Sequence, residues 1–184
     1  MKRRLTILAL TALAVTALIG VILTVTSPVY AGGVTQISGV AFPDLNNVCD
    51  AGNQGADFAA LMTEDLDGCL YAVVDVENTQ CINTGNGGSI YHERGTETFV
   101  GTYNNEVSGT FGTTYLFTSK WSGPCDGGFP TGEEISGRCQ HPIVANSGTD
   151  GFAGVTGRLD FKDVIVPGDP GATTFPYRGH LQFP

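Results

Sequence analysis

The sequence predicts an all-β chain that closes into a single eight-stranded antiparallel barrel, with a two-sheet sandwich as the alternative. Three observations carry that expectation. Of the 26 glycines, 25 fall after residue 31, and they cluster between short alternating runs rich in Thr, Val, Phe and Tyr, the composition of many strands joined by many turns. Beyond residue 31 no window of ten or more residues joins a helical period to helix-forming composition, and the best candidate, Asp57 to Leu66, is short. Eight such runs with short connections favour antiparallel neighbours. In about 150 residues they suit a barrel that either fills with side chains or holds one small ligand.

Taken in order, the chain opens with Lys2, Arg3 and Arg4, followed by an uncharged stretch from Leu5 to Thr26. Ser27 and Pro28 break that run, and Val29-Tyr30-Ala31 offers small or medium residues at the positions that signal processing requires. Residues 1–31 therefore read as an export signal cleaved before Gly32, or as an N-terminal membrane anchor if cleavage fails. No cysteine follows closely enough to suggest a lipoprotein. Residues 32–184 have the size of one domain, with no linker or charge block to divide them.

The expected strands are Val34 to Phe42, Asp57 to Met62, Cys69 to Val76, Ser89 to Val100, Gly109 to Trp121, Glu134 to Ile143, Val155 to Ile165 and Thr173 to Phe183. The clearest pair is the fourth with the fifth, joined across Tyr103-Asn104-Asn105-Glu106. In the fifth, Phe111, Thr113, Tyr115, Phe117, Ser119 and Trp121 share one face, and period two turns that aromatic row inward. In the fourth, Tyr91 and Phe99 mark the inward face, which carries Glu93 and Glu97 inward with them.

Two carboxylates on a core-facing row are costly unless they are paired, hydrogen-bonded or open to a water-filled cavity. Either they form the polar floor of a ligand pocket, or a bulge at Gly95 shifts the parity, or arginines such as Arg138 and Arg158 neutralise them. In the sixth strand Ile135, Gly137, Cys139, His141 and Ile143 share the inward face and Glu134, Ser136, Arg138 and Gln140 the outer one. The seventh turns Leu159, Phe161 and Ile165 inward, the eighth Phe175, Tyr177, Leu181 and Phe183. Between them VPGDPG is a turn at Pro167 to Gly171. Before the seventh, the glycines of GTDGFAGVTG bracket Phe152 and suggest a tight turn pinned by one buried ring.

All five cysteines lie beyond residue 31. In an oxidising compartment they should form two bridges and leave one thiol. The preferred pairing is Cys125 with Cys139 and Cys69 with Cys81, leaving Cys49.

Three of the nine basic residues lie in the N-terminal segment, leaving six against 18 acidic ones, a formal charge of about −12. Such a surface repels nucleic acid and anionic lipid, and no basic stripe reverses it. Asp44, Asp50, Asp65 and Asp67 are too scattered for a calcium loop. His92, His141 and His180 are too dispersed to read as zinc ligands, so no metal is expected. Neither a G-x-S-x-G elbow nor an H-E-x-x-H pair occurs. Gly85-Asn86-Gly87-Gly88 lacks the lysine of a phosphate loop, so no nucleotide cofactor is expected.

The phrases ERGTETFVG (Glu93 to Gly101), GTFGTTYLFTSKW (Gly109 to Trp121), GRCQHPI (Gly137 to Ile143) and GTDGFAGVTGRLDFKD (Gly148 to Asp163) resemble secreted proteins of the allene oxide cyclase and dirigent-like barrel type. The likeness spans roughly Cys69 to Phe183 and rests on backbone geometry. It implies an eight-stranded barrel with an apolar cavity, in a family whose plant members cyclise an unstable epoxide or guide radical coupling. The resemblance carries none of that family's active-site residues onto positions here.

Three functions remain in competition. A secreted binding module would line its cavity with Tyr91, Phe99, Phe111, Tyr115, Phe117, Phe161 and Tyr177, with Glu93, Glu97 and His141 as its polar contacts and a small, largely apolar ligand as its partner. A cyclase or isomerase would use the same cavity, with Glu93 or Glu97 as general acid or base and His141 as partner. A structural or surface interaction protein would have a filled barrel.

Overall fold

The computed structural model describes residues 32–184, so the expected export segment lies outside the described residues. Eleven strands form: β1 (Val34–Pro43), β2 (Phe58–Met62), β3 (Leu66–Val74), β4 (Gln80–Asn83), β5 (Ser89–Tyr103), β6 (Val107–Trp121), β7 (Cys125–Asp126), β8 (Phe129–Pro130), β9 (Glu134–Pro142), β10 (Thr156–Lys162) and β11 (Phe175–Gln182). The main sheet runs β3-β2-β1-β11-β10-β9-β6-β5-β4, and a further pairing of β3 with β5 closes it. The result is an eight-stranded antiparallel barrel, β1-β2-β3-β5-β6-β9-β10-β11, with β4 as one extra strand. All eight expected strands are present, and closure removes the open edges a sandwich would leave. The 57–66 window, helical only in composition, contributes β2.

The frame is the β5–β6 hairpin. Its register runs unbroken from Ser89↔Trp121 to Tyr103↔Val107, and β3 pairs with β5 in one register from Leu66↔Tyr103 to Val74↔Gly95. Gly95 therefore carries no bulge, and the inward parity of Glu93 and Glu97 holds. Asn104 and Asn105 turn the hairpin with φ of 50° and 58°, the left-handed pair that matches the twist of the strands.

One end of the barrel is packed solid. Phe99, Phe111 and Phe152 are fully buried, with the Phe152 ring centroid 5.1 Å from Phe111 and 5.9 Å from Phe99. Phe152 sits in a short 3-10 turn, Asp150–Phe152, that stoppers this end, as GTDGFAG suggested. Gly148 makes the stopper possible, because a Cβ there would strike the Phe152 carbonyl.

The disulfides differ from the expected pairing. Cys49 bonds Cys69 and Cys81 bonds Cys125, while Cys139 remains a buried thiol. Cys69 lies opposite Val100 of β5 and Cys81 opposite Tyr91, so along β5 they stand about 30 Å apart, far beyond the reach of a bridge. Cys139 is 8% exposed on the inward face of β9, while Cys125, in β7 outside the barrel, is held by Cys81 of β4.

A second difference lies in β9. Lys120 pairs with Ser136 but Trp121 pairs with Glu134, so Ile135 is an extra residue in the ladder. This bulge reverses parity at the start of the strand. Ile135, expected inside, is 63% exposed, and Glu134, expected outside, turns toward the barrel.

Candidate functional site

The other end of the barrel is open. The N-terminal ends of β2, β5, β9 and β11 and the C-terminal ends of β3, β6 and β10 surround a cavity of about 250 Å³. Phe58, Phe117, Phe161 and Phe175 provide apolar wall with Ala60 and Leu70, and Tyr115 adds an amphipathic face. The remaining lining is ionisable: Glu93, Glu97, Glu134, Asp163, Cys139 and His141. Beneath it, Leu66, Phe99, Phe111, Thr113 and Leu159 bound a dry void with no room for water. A larger groove of about 590 Å³ lies outside the barrel along β4 and the β7–β8 hairpin, lined by Gln80, Ile82, Gly127 and Phe129 among others. It holds no ionisable side chain, unlike the barrel cavity.

The expected pair Glu93 and Glu97 both line this cavity, but each has its own partners. Glu93 accepts hydrogen bonds from Tyr91 (2.9 Å) and Tyr115 (2.8 Å), one on each carboxyl oxygen. Burial first, then the Glu93 hydrogen bond and charge, push the Tyr91 hydroxyl up to about 12 and the Tyr115 hydroxyl up as well. Both therefore stay protonated donors at neutral pH. Arg138 is exposed, and Arg158 pairs with Asp160 on the outer surface at 2.7 Å, so neither neutralises the glutamates.

Glu97 is 7% exposed and His141 4%. A single oxygen of Glu97, Oε2, accepts from Thr113 Oγ1 at 2.6 Å and meets His141 Nδ1 at 2.5 Å. An oxygen receiving two partners is the acceptor for both, which places a proton on the imidazole Nδ1. Nε2 is buried and has no partner among the described residues. Phe161 at 4.4 Å and Tyr115 at 6.0 Å hold the ring from its faces. A fixed, desolvated imidazole with one free nitrogen is rare in a satisfied core.

Two functional candidates escaped the sequence reading. Glu134 and Asp163 bring their carboxyls together over Gly137, where a Cβ would strike both. Glu134 Oε1 is buried without a donor, and facing carboxyl oxygens are compatible only if a proton sits between them. Burial, then the Asp163 hydrogen bond and charge, push the Glu134 carboxyl up to about 8, and burial raises Asp163 too. Asp163 continues the period-two row of Leu159 and Phe161, a signal present in the sequence. Glu134 had no such signal, because the bulge at Ile135 reverses its side.

Of the residues expected to line a pocket, Tyr115, Phe117 and Phe161 do. Phe99 and Phe111 lie in the solid half. Tyr177 is a tie between strands: its hydroxyl accepts from the Leu66 N–H at 2.9 Å and donates to the Thr63 carbonyl at 2.9 Å. Tyr91 stands beside the cavity, holding Glu93. Cys139 lines it as a thiol whose ionisation is suppressed, chiefly by burial and then by Glu97, which makes it a poor nucleophile.

Compared with family models, curated proteins and solved structures, the chain gives no match. The site's own chemistry is thus the ground for a functional reading. Among the described residues no three His, Cys, Asp or Glu side chains gather as a metal site, and no helix is long and apolar enough to cross a membrane.

Proposed function

We propose that the chain is a secreted binding protein that holds a small, largely apolar ligand in the open half of its barrel. The observation that carries this reading is the division of the interior: one half is packed solid by Phe99, Phe111 and Phe152, while the other keeps a cavity of about 250 Å³. A barrel whose role was only structural would have no reason to leave that half unfilled and line it with costly carboxyls. Pockets for drug-sized ligands span roughly 300–1,000 Å³; this cavity falls below that range, so its ligand is smaller than drug-sized. Two disulfides favour an oxidising compartment, in keeping with the export segment expected at residues 1–31.

Binding of a neutral naphthalene-type fluorophore to the oxidised protein tests the reading. Enhancement should saturate and be abolished in Ala60→Trp, which fills the cavity wall. Enhancement that survives the substitution sinks the proposal, and so does failure of this probe together with small charged and neutral aromatic ones.

A second reading, a cyclase or isomerase, draws on the Glu97–His141 pair. His141, with an unpartnered Nε2, and Glu134, whose carboxyl burial and Asp163 push up to about 8, put a proton-accepting or -donating imidazole and an acid in one cavity. Mass spectrometry of the bound ligand separates the two: a binding protein returns it unchanged, whereas an enzyme releases an isomer and stops doing so in Glu97→Gln.

A further inference from the structure

We infer that the ligand carries a protonated amine on its apolar body, and that the amine seats against the Glu134–Asp163 pair. This rests on the cavity being a binding site. Four carboxyls line the cavity, and among the described residues no lysine or arginine does. A bound anion would meet repulsion with nothing to offset it. A wholly neutral ligand without a donor would cover Glu134 Oε1 and leave it unpartnered. An ammonium supplies that partner through charge-assisted hydrogen bonds.

Tyr115, Phe117 and Phe161 line the same space, and aromatic faces attract a cation through their quadrupoles. The same cavity also holds a buried nitrogen with no partner. His141 lines the cavity, is 4% exposed and leaves Nε2 without a partner. Glu93 and Glu97 already take hydroxyl and imidazole protons, so the lining's unmet demand for a donor lies at the facing carboxyls of Glu134 and Asp163, where Glu134 Oε1 is buried without one. The long-range field agrees, since a formal charge near −12 beyond residue 31 draws cations toward the protein.

Seating an ammonium there displaces the proton held between Glu134 and Asp163. The N–H groups of the amine then take the carboxyl oxygens that the proton had bridged, and the proton leaves to solvent. Groups facing this exchange are Glu93 and Glu97 from β5, Tyr115 from β6, Cys139 and His141 from β9, and Asp163 after β10.

The test uses three ring-matched probes, benzylamine, benzyl alcohol and benzoate, titrated into the oxidised protein at physiological ionic strength by ligand-observed NMR. Benzylamine should bind roughly ten- to a hundredfold more tightly than benzyl alcohol, the range of one charge-assisted hydrogen bond, and benzoate should not bind. In the double variant Glu134→Gln/Asp163→Asn, confirmed folded by circular dichroism, that preference should vanish while benzyl alcohol binds as before. Equal binding of amine and alcohol by the wild type would overturn the amine assignment and leave the cavity reading standing. An amine preference that persists in the double variant would place the cation elsewhere and overturn it as well. Failure of all three probes together with the neutral fluorophore would overturn the cavity reading itself.

Discussion

Replacing Glu134 with glutamine should raise stability near pH 8 and leave it almost unchanged near pH 5. Burial and the Asp163 carboxyl push Glu134 from 4.5 to about 8, so between those values the folded chain keeps a proton that the unfolded chain has released. A raised folded-state value favours folding fully below the unfolded value, and that advantage is lost as pH climbs through the folded one. At about 1.4 kcal/mol per unit, the whole window would give about 5 kcal/mol. Glu134 is only half-buried, and solvent screening reduces the expected effect to roughly 1–2 kcal/mol. Glutamine has the shape of the protonated acid and donates to Asp163 from its amide, so it keeps the neutral form at every pH. Urea unfolding of both proteins at about pH 5, 6.5 and 8, with disulfides intact, measures the difference between them. That difference should grow with pH in favour of the variant. A difference that stays constant across the range would show that no proton is held between Glu134 and Asp163.

Phe152→Ala should cost about 3–5 kcal/mol, because it removes a fully buried ring from three others at the closed end; a loss under about 1 kcal/mol in chemical denaturation would mean that the stopper does not support the barrel. Glu97→Gln should cost about 1.5–3 kcal/mol by weakening the charge-assisted hold on His141 and Thr113, whereas Glu93→Gln, with two hydroxyl donors in a less buried position, should act mainly on ligand affinity. Equal losses of melting temperature from both would assign Glu93 a structural role. Cys139 should resist a thiol reagent in the folded protein and react once per chain on unfolding, with peptide mapping recovering Cys49–Cys69 and Cys81–Cys125; rapid native labelling would contradict its burial.

The barrel was legible because its signals are local and repeated. Alternation in Gly109 to Trp121 placed Phe111, Tyr115 and Phe117 inward, and the same parity correctly carried Glu93, Glu97 and His141 with them. What parity cannot report is height along the barrel axis. Phe99 and Phe117 obey one rule, yet the first lies in the solid half and the second beside the cavity. The difference comes from Phe152, whose turn enters from a distant part of the chain. The disulfides failed for a related reason: bracketing a loop in sequence says nothing about position along β5, which decides that Cys69 and Cys81 stand far apart. Cys139 could have been excluded from bridging by its own parity, since it shares a face with His141.

The bulge at Ile135 ties the fold to the chemistry. Without it, Glu134 would point to solvent, where a lone carboxyl costs nothing and shifts nothing. One extra residue in β9 turns it inward against Asp163, and Gly137, with no Cβ, leaves room for both carboxyls. A bulge and a glycine are therefore spent on bringing like groups together, which lowers stability at neutral pH. The closed end can carry that cost, because Phe99, Phe111, Phe152, Leu181 and Val155 are fully buried there and each such side chain contributes on the order of 1.5–3 kcal/mol. Packing alone would favour a symmetric barrel filled at both ends. The polar half persists against that preference, and a proton-sharing pair in one cavity with a desolvated imidazole is the arrangement expected when binding or proton transfer, rather than stability, determines what lines an interior.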